Sequence, residues 1–207
     1  MAVQYAVKAE VVDIRTDRPR ASDVFLVDTN VWFWMTYAVA SQGAQGPAAP
    51  PPAAYSTYFK RALAAKAKFR RCGLSMAELA HQIEKAEYDL FVATNPNVTA
   101  KQYRHNLAAE RGHVVNDIQS AWAAVKQIAA PLDVAIDDPT TDLALGRLAT
   151  QQLDGYDLFM AHAMSAAGVT QVLTDDGDYC TAPGIQVFTA NRPVIDAARV
   201  QGKLLLR

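Results

Sequence analysis

The sequence predicts an α/β fold: three layers, α/β/α, with a central parallel sheet and a helical insertion. Three observations predict it. Short β-branched runs alternate with stretches of helical spacing along the whole chain, the pattern of a parallel sheet covered by helices. Two of those runs, Val24–Val27 and Val169–Thr174, are apolar almost throughout, as strands buried on both faces must be. Both also run directly into aspartate, Asp28 after the first and Asp175-Asp176 after the second. At 207 residues, 51% hydrophobic and 20% charged, the chain suits one domain with insertions and excludes disordered or fibrous classes. No apolar run reaches the roughly 20 residues needed to span a bilayer.

The elements follow in order. Val3–Ile14 is Val-rich and reads as an extended arm or an edge strand, and the polar stretch Arg15–Ala21 closes it. Residues 1–22 are therefore an N-terminal arm and 23–207 a single domain. Val24–Val27 is the first buried strand; Asp28-Thr29-Asn30 are turn and cap residues, and a helix starts at Val31. The stretch from Gln42 to Ala54 holds four prolines and two glycines and reads as a surface loop insertion. Tyr55–Arg71 reads as one basic helix, and a second helix runs from Met76 to about Tyr88 behind a Leu74-Ser75 cap. Thr99 with Gln102 has capping-box spacing, and Leu107, Val114, Ile118, Trp122 and Val125 continue at helical spacing. Ala100–Ala129 is thus expected to be one long helix, the main part of a helical region over about 95–129. Leu132–Ile136 is a short strand candidate. Thr140 or Thr141 caps a helix to about Gln152, and Tyr156–Ala167 is another, closed by Gly168. Ile185–Thr189 is the last strand, Asn191-Arg192-Pro193 a turn, and Val194–Val200 the last helix.

Twenty basic residues balance 21 acidic ones, but unevenly. Lys60, Arg61, Lys66, Lys68, Arg70 and Arg71 fall together with no acid among them, whereas Leu132–Tyr179 holds nine aspartates and one basic residue, Arg147. A basic run is either a solvated helix face or a phosphate-binding stripe. On a helix, Lys60, Lys68 and Arg71 share a face and are the RNA-binding candidates. Cys72 and Cys180 are too few for a disulfide framework and lack metal-finger spacing. With Lys8, Glu10, Asp13 and Arg15 where a signal peptide needs apolar residues, the chain reads as cytoplasmic and reduced.

The carboxylates carry the functional reading. In open parallel sheets, sites lie beyond the carboxyl ends of the strands. Two buried strands ending in acids would crowd negative charge at one edge, where repulsion raises pKa values unless a cation is shared. Mg2+ or Mn2+ suits such an oxygen set. Asp154 and Asp157 open a helix and present further acid to the same edge; Asp154 reads first as the cap. His81, His105, His113 and His162 lie inside helices and form no catalytic pattern.

Four segments carry a resemblance: FLVDTNVW at Phe25–Trp32, SMAELAHQIE at Ser75–Glu84, DGYDLFMAHAM at Asp154–Met164 and VLTDDGDY at Val172–Tyr179. In order and spacing they resemble the acidic motifs of PIN-domain nucleases, especially the VapC-type toxins of toxin–antitoxin systems. The resemblance implies a PIN-like fold and a divalent-metal-dependent ribonuclease using Mg2+ or Mn2+. Its acids fall on Asp28, Glu78 and Asp157, with Asp176 favoured as the fourth over Asp178 or Asp175. Asn30 and Thr174 fall at supporting positions. It implies RNA as substrate, an antitoxin protein as partner, and a homodimer; no membrane partner is expected. The N-terminal arm, the Pro-rich loop and the long helical region depart from the usual shorter toxin pattern, so a stand-alone RNA-processing nuclease stays open beside the toxin. A catalytically silent PIN-like binding module is the remaining rival. A haloacid-dehalogenase-type phosphatase fits less well, since Asn30 stands where it needs a second acid.

Overall fold

The computed structural model describes residues 3–37 and 52–207. Six parallel strands form one sheet in the order β1-β6-β5-β2-β3-β4. They are β1 (Glu10–Asp13), β2 (Val24–Val27), β3 (Lys68–Cys72), β4 (Ala130–Leu132), β5 (Gln171–Leu173) and β6 (Gln186–Thr189). Among the described residues eight α-helices accompany it: α1 (Thr29–Thr36), α2 (Pro52–Ala64), α3 (Leu74–Val92), α4 (Ala100–Asn106), α5 (Ala108–Ile128), α6 (Asp138–Leu148), α7 (Gly155–Ala166) and α8 (Arg192–Val200). A 3-10 turn spans Asp178–Thr181.

Side-chain alternation along the strands divides the core in two. Leu26, Val172 and Val187 face a cluster with Leu158, Met160, Ala161 and Met164 of α7 and Val194, Ile195 and Ala198 of α8. Their neighbours Phe25, Val27, Leu173 and Phe188 face a second cluster with Trp32 of α1, Tyr58 and Phe59 of α2, Ile83 of α3 and Val125 of α5. That makes three layers, α/β/α, as the composition of the strands predicts. Each large side chain buried this way contributes about 1.5–3 kcal/mol.

From β2 the chain steps outward through β3 to β4, then crosses back to β5 and steps the other way to β6. The β2/β5 boundary is therefore the point where strand order reverses, the place where open α/β sheets leave a crevice. Backbone pairing fastens the two strand ends there, Asp28 N–H donating to Leu173 O at 3.1 Å.

Several sequence expectations need correction. Tyr55–Arg71 is not one helix: α2 ends at Ala64, Lys66 sits at φ 63°, and Lys68–Cys72 is β3. A non-glycine residue in the left-handed region stops a helix. Phe69, stacked on Phe59 at 4.2 Å, and fully buried Cys72 then fix the strand. The expected long helix breaks at Leu107 (φ −113°, ψ 81°) into α4 and α5. α4 buries Tyr103 against Tyr88 and Phe91 of α3, whereas α5 buries Val114, Ala121 and Val125, so the two halves serve different surfaces. β4 begins earlier than expected and includes Pro131, which an edge strand tolerates because its outer N–H needs no partner. Asp137, not a threonine, caps α6, accepting from Thr140 N–H at 3.0 Å. Asn191 caps α8, so Arg192-Pro193 start that helix instead of forming a separate turn. The Thr99–Gln102 capping box is present. Most of the Pro-rich loop expectation, residues 42–51, lies outside the described residues; Pro52–Ala54 already belong to α2. Among the described residues no helix is long and apolar enough to cross a membrane.

Candidate functional site

Asp28 leaves β2 at the switch point, caps α1, and is almost wholly buried. Its carboxylate accepts from Thr29 N–H at 2.6 Å, Asn30 Nδ2 at 2.8 Å and Thr174 Oγ1 at 2.5 Å. Asn30 and Thr174, expected as supporting residues, thus orient this acid by direct hydrogen bonds. Thr174 also accepts from Asp176 N–H at 2.8 Å, so one hydroxyl ties the end of β5 to the acid of β2.

Asp157 enters from the first turn of α7, buried, and accepts from Tyr179 OH at 2.8 Å. Glu78 enters from α3, which is fastened to α7 through Ser75 Oγ donating to Met160 Sδ at 3.5 Å. Asp176 and Asp178 come from the loop after β5, where Asp176 Oδ1 accepts from Asp178 N–H at 2.8 Å. The acids repel one another enough to shift their titration. Burial first, then the Glu78 and Asp176 charges, push Asp28 up to about 7. Burial first, then Asp28, push Asp157 up to about 9. Glu78 is raised by burial and by Asp154 and Asp176, Asp176 by burial and by Asp154, and Asp178 by burial, Asp176 and Asp154.

Asp154 is the acid that sequence reasoning undervalued. It does cap α7, accepting from Tyr156 and Asp157 N–H at 3.1 and 3.2 Å. It also lies close enough to Glu78, Asp157, Asp176 and Asp178 to raise the proton affinity of each. Spacing flags it, three residues before Asp157, but the cap explanation kept it out of the candidate set.

Asp175 separates from the group. Its carboxylate accepts from Tyr55 OH at 2.6 Å, and its backbone carbonyl accepts from Asn191 Nδ2 at 2.7 Å. Tyr55, fully buried on α2, also reaches Thr174 O and receives Ala190 N–H. Asp175 therefore anchors the loop, and Asp176 is the one turned toward the other acids.

The basic candidates do not assemble. Lys60 lies on α2, Lys68 starts β3 opposite Val24 at the amino end of the sheet, and Arg71 stacks over Trp122 at 5.6 Å. They share no face, because the helix that was to align them is half strand. A cleft of about 670 Å3 lined by Arg20, Asp23, Arg70, Gln171 and Arg207 also lies at the amino ends of the strands, away from the acids.

No family model matches the chain, and no curated protein matches it. Among solved structures, it is similar to the crystal structure of VapBC2 from Rickettsia felis bound to a DNA fragment from their promoter. That match covers 80% of this chain and 98% of the other at 14% identity, with a TM-score of 0.46. The likeness is too slight to carry an argument about activity.

The donor chemistry fits a hard divalent cation: carboxylate oxygens only, crowded until they resist ionising. Glu78 Oε2 is buried without a hydrogen bond, although the Thr29 hydroxyl stands near enough to temper its proton affinity. Against this, no group of three or more His, Cys, Asp or Glu among the described residues is arranged to hold a metal ion.

Proposed function

We propose that the chain is a divalent-metal-dependent ribonuclease that hydrolyses RNA phosphodiester bonds at the carboxyl edge of β2 and β5. One observation supports it above the others: acids from four separate elements lie near enough to one another at the switch point that burial plus mutual repulsion disfavours their charged forms. A fold that needed these acids only as caps would not bring Glu78, from the interior of α3, into the same group.

In this reading Asp28 and Asp157 would hold Mg2+ or Mn2+, with Glu78, Asp176 and Asp178 completing the oxygen set. Such a cation lowers the pKa of bound water and neutralises charge gathering on the phosphate. The chain's own contribution is orientation. Thr174 and Asn30 fix the Asp28 carboxylate, and Tyr179 fixes Asp157. An antitoxin partner and a homodimer rest on the motif resemblance alone, and co-purification with a small protein encoded beside this chain tests the first.

The test of the activity is cleavage of a mixed RNA pool by the full chain with Mn2+ or Mg2+, and with EDTA. Cleavage that needs the cation is expected. Cleavage indifferent to chelation overturns the metal reading, and a protein inert under every cation favours a silent binding module.

A further inference from the structure

The N-terminal segment reaches the acid cluster. Lys8 and Ala9 N–H both donate to Cys180 O, at 2.8 and 3.0 Å, and Lys8 Nζ donates to Thr150 O at 2.7 Å. Gln201, beyond α8, clasps the same segment from the other side: its amide donates to Tyr5 O at 2.7 Å and accepts from Val7 N–H at 3.0 Å. So fastened, the Tyr5 ring lies against Gly177, in the middle of the acid-bearing loop. A Cβ added at Gly177 would fall inside the van der Waals envelope of Tyr5 Cε1, Cζ and Oη. Backbone conformation does not demand glycine there, for Gly177 has φ −74° and ψ −18°. The ring occupies the space a Cβ would take, so a side chain at 177 requires the ring to move aside.

We propose that Tyr5 is a positioning residue whose ring, seated on Gly177, holds the Asp175–Asp178 loop so that Asp176 and Asp178 stay turned into the acid cluster. The proposal rests on the nuclease reading of that cluster. The neighbouring carboxylates make themselves felt on Tyr5 itself: after burial, Asp176 and Asp178 are the main influences raising its phenol pKa. The Tyr5 hydroxyl makes no hydrogen bond to any described residue, so the ring, not the hydroxyl, carries the effect. The geometry also accounts for the segment Asp-Asp-Gly-Asp: Asp175 anchors the loop, Asp176 and Asp178 belong to the acid cluster, and the glycine between those two admits an aromatic ring from 172 residues away in the chain.

Four variants of the full chain test it: Tyr5→Phe, Tyr5→Ala, Gly177→Ala and the Tyr5→Ala/Gly177→Ala double. Two readouts are used, Mn2+ titration and amide hydrogen exchange of the loop, each after a thermal melt shows the variant folded. Residues that orient metal ligands typically cost about 10–100-fold in affinity when lost. Tyr5→Ala and Gly177→Ala are each expected to weaken Mn2+ by about tenfold and to speed loop exchange. Tyr5→Phe is expected to match the parent protein. The double variant is expected to be no worse than Tyr5→Ala, because without the ring a Cβ at 177 has room; contacting pairs are non-additive in this way. Unchanged loop exchange in Tyr5→Ala, or single effects that multiply in the double variant, overturns the proposal. A parent protein that binds no Mn2+ overturns the metal reading instead, since exchange still reports the ring's grip on the loop.

Discussion

Asp28 and Asp157 are acids that their own fold makes reluctant to ionise, and this has consequences for stability. Burial and mutual repulsion push Asp157 up to about 9 and Asp28 up to about 7 in the folded chain, against about 3.9 for an unfolded aspartate. The folded state therefore binds more protons than the unfolded state between those limits, and stability falls as pH rises through that window. Metal-free protein is expected to melt at a lower temperature at pH 8.5 than at pH 5. Mn2+ added at pH 8.5 should remove most of the difference by giving the charged forms a partner. A melting temperature independent of pH in EDTA would mean the acids are better solvated than their burial indicates. From the same cause, Asp157→Asn and Asp28→Asn should abolish RNA cleavage by at least about a hundredfold while leaving the metal-free melt within a few degrees or above that of the parent, as is common where function keeps a strained site. A loss of ten degrees or more would show that these carboxylates serve chiefly as caps.

Elements were legible in the sequence where burial dictates composition and illegible where it does not. β2 is VFLV, and its bounds match the apolar run residue for residue; a strand between two helical layers has no solvent face to accommodate polar residues. β3 is KFRRC, and its three charged residues around Phe69 hid a strand that the left-handed residue Lys66 separates from α2 and that buried Phe69 and Cys72 fix. β4 was obscured by Pro131, which its edge position permits. That Asp28 and Asp176 fall at one edge was legible because strand ends in a parallel sheet share an edge, and Glu78 was nameable only through the motif resemblance; Tyr5 was not legible, since nothing local in the sequence links it to Gly177. The correction at β3 changes what the basic run can do. Arg71 holds Trp122, and Lys68 opens toward the opposite end of the sheet. Replacing Lys60, Lys68 and Arg71 together with Ala should then flatten the salt dependence of RNA binding by less than one unit, at about 0.7 per contact on single strands. A change of two units, measured by titration at several salt concentrations with Asp28→Asn protein, would restore the three as one phosphate-binding face. Arg71→Ala alone is expected to cost about 0.5–2 kcal/mol of stability through the lost stack.

Across the whole molecule, the end of the sheet opposite the acids is closed by Arg207. Its guanidinium is almost fully buried and donates to Asp17 at 3.0 and 3.1 Å and to Asp23 at 2.9 Å twice. It lies over the Phe188 ring at 4.5 Å, while Tyr58 OH donates to Asp17 at 2.6 Å. Leu205 N–H, two residues earlier, donates to Val11 O at 2.7 Å, so the same segment also covers the outer edge strand. Burial acts to raise Asp23, but hydrogen bonds from Arg207, the Arg20 N–H and Gln171 hold its carboxyl below the usual range. A depressed acid stabilises the fold above its unfolded pKa and loses that contribution as pH falls through the folded value. Removing the arginine leaves two buried carboxylates without a cation, a loss typically of about 3–5 kcal/mol, or roughly 6–20 °C in a chain of this size. Arg207→Lys should recover only part, since an ammonium cannot present paired donors to two carboxylates at once. The deficit of Arg207→Ala should shrink as pH falls into the acid range, where protonation removes the buried negative charge that the guanidinium balances. Because the clamp and the acid edge sit at opposite ends of the strands, Arg207→Ala assayed well below its melting point should cleave RNA as the parent does. Thermal melts of the three proteins from pH 3 to pH 8, with cleavage at 15 °C, decide it. A variant as stable as the parent at pH 7 would mean that water enters the gap and solvates both carboxylates, and that the sheet's amino end is held by its apolar contacts alone.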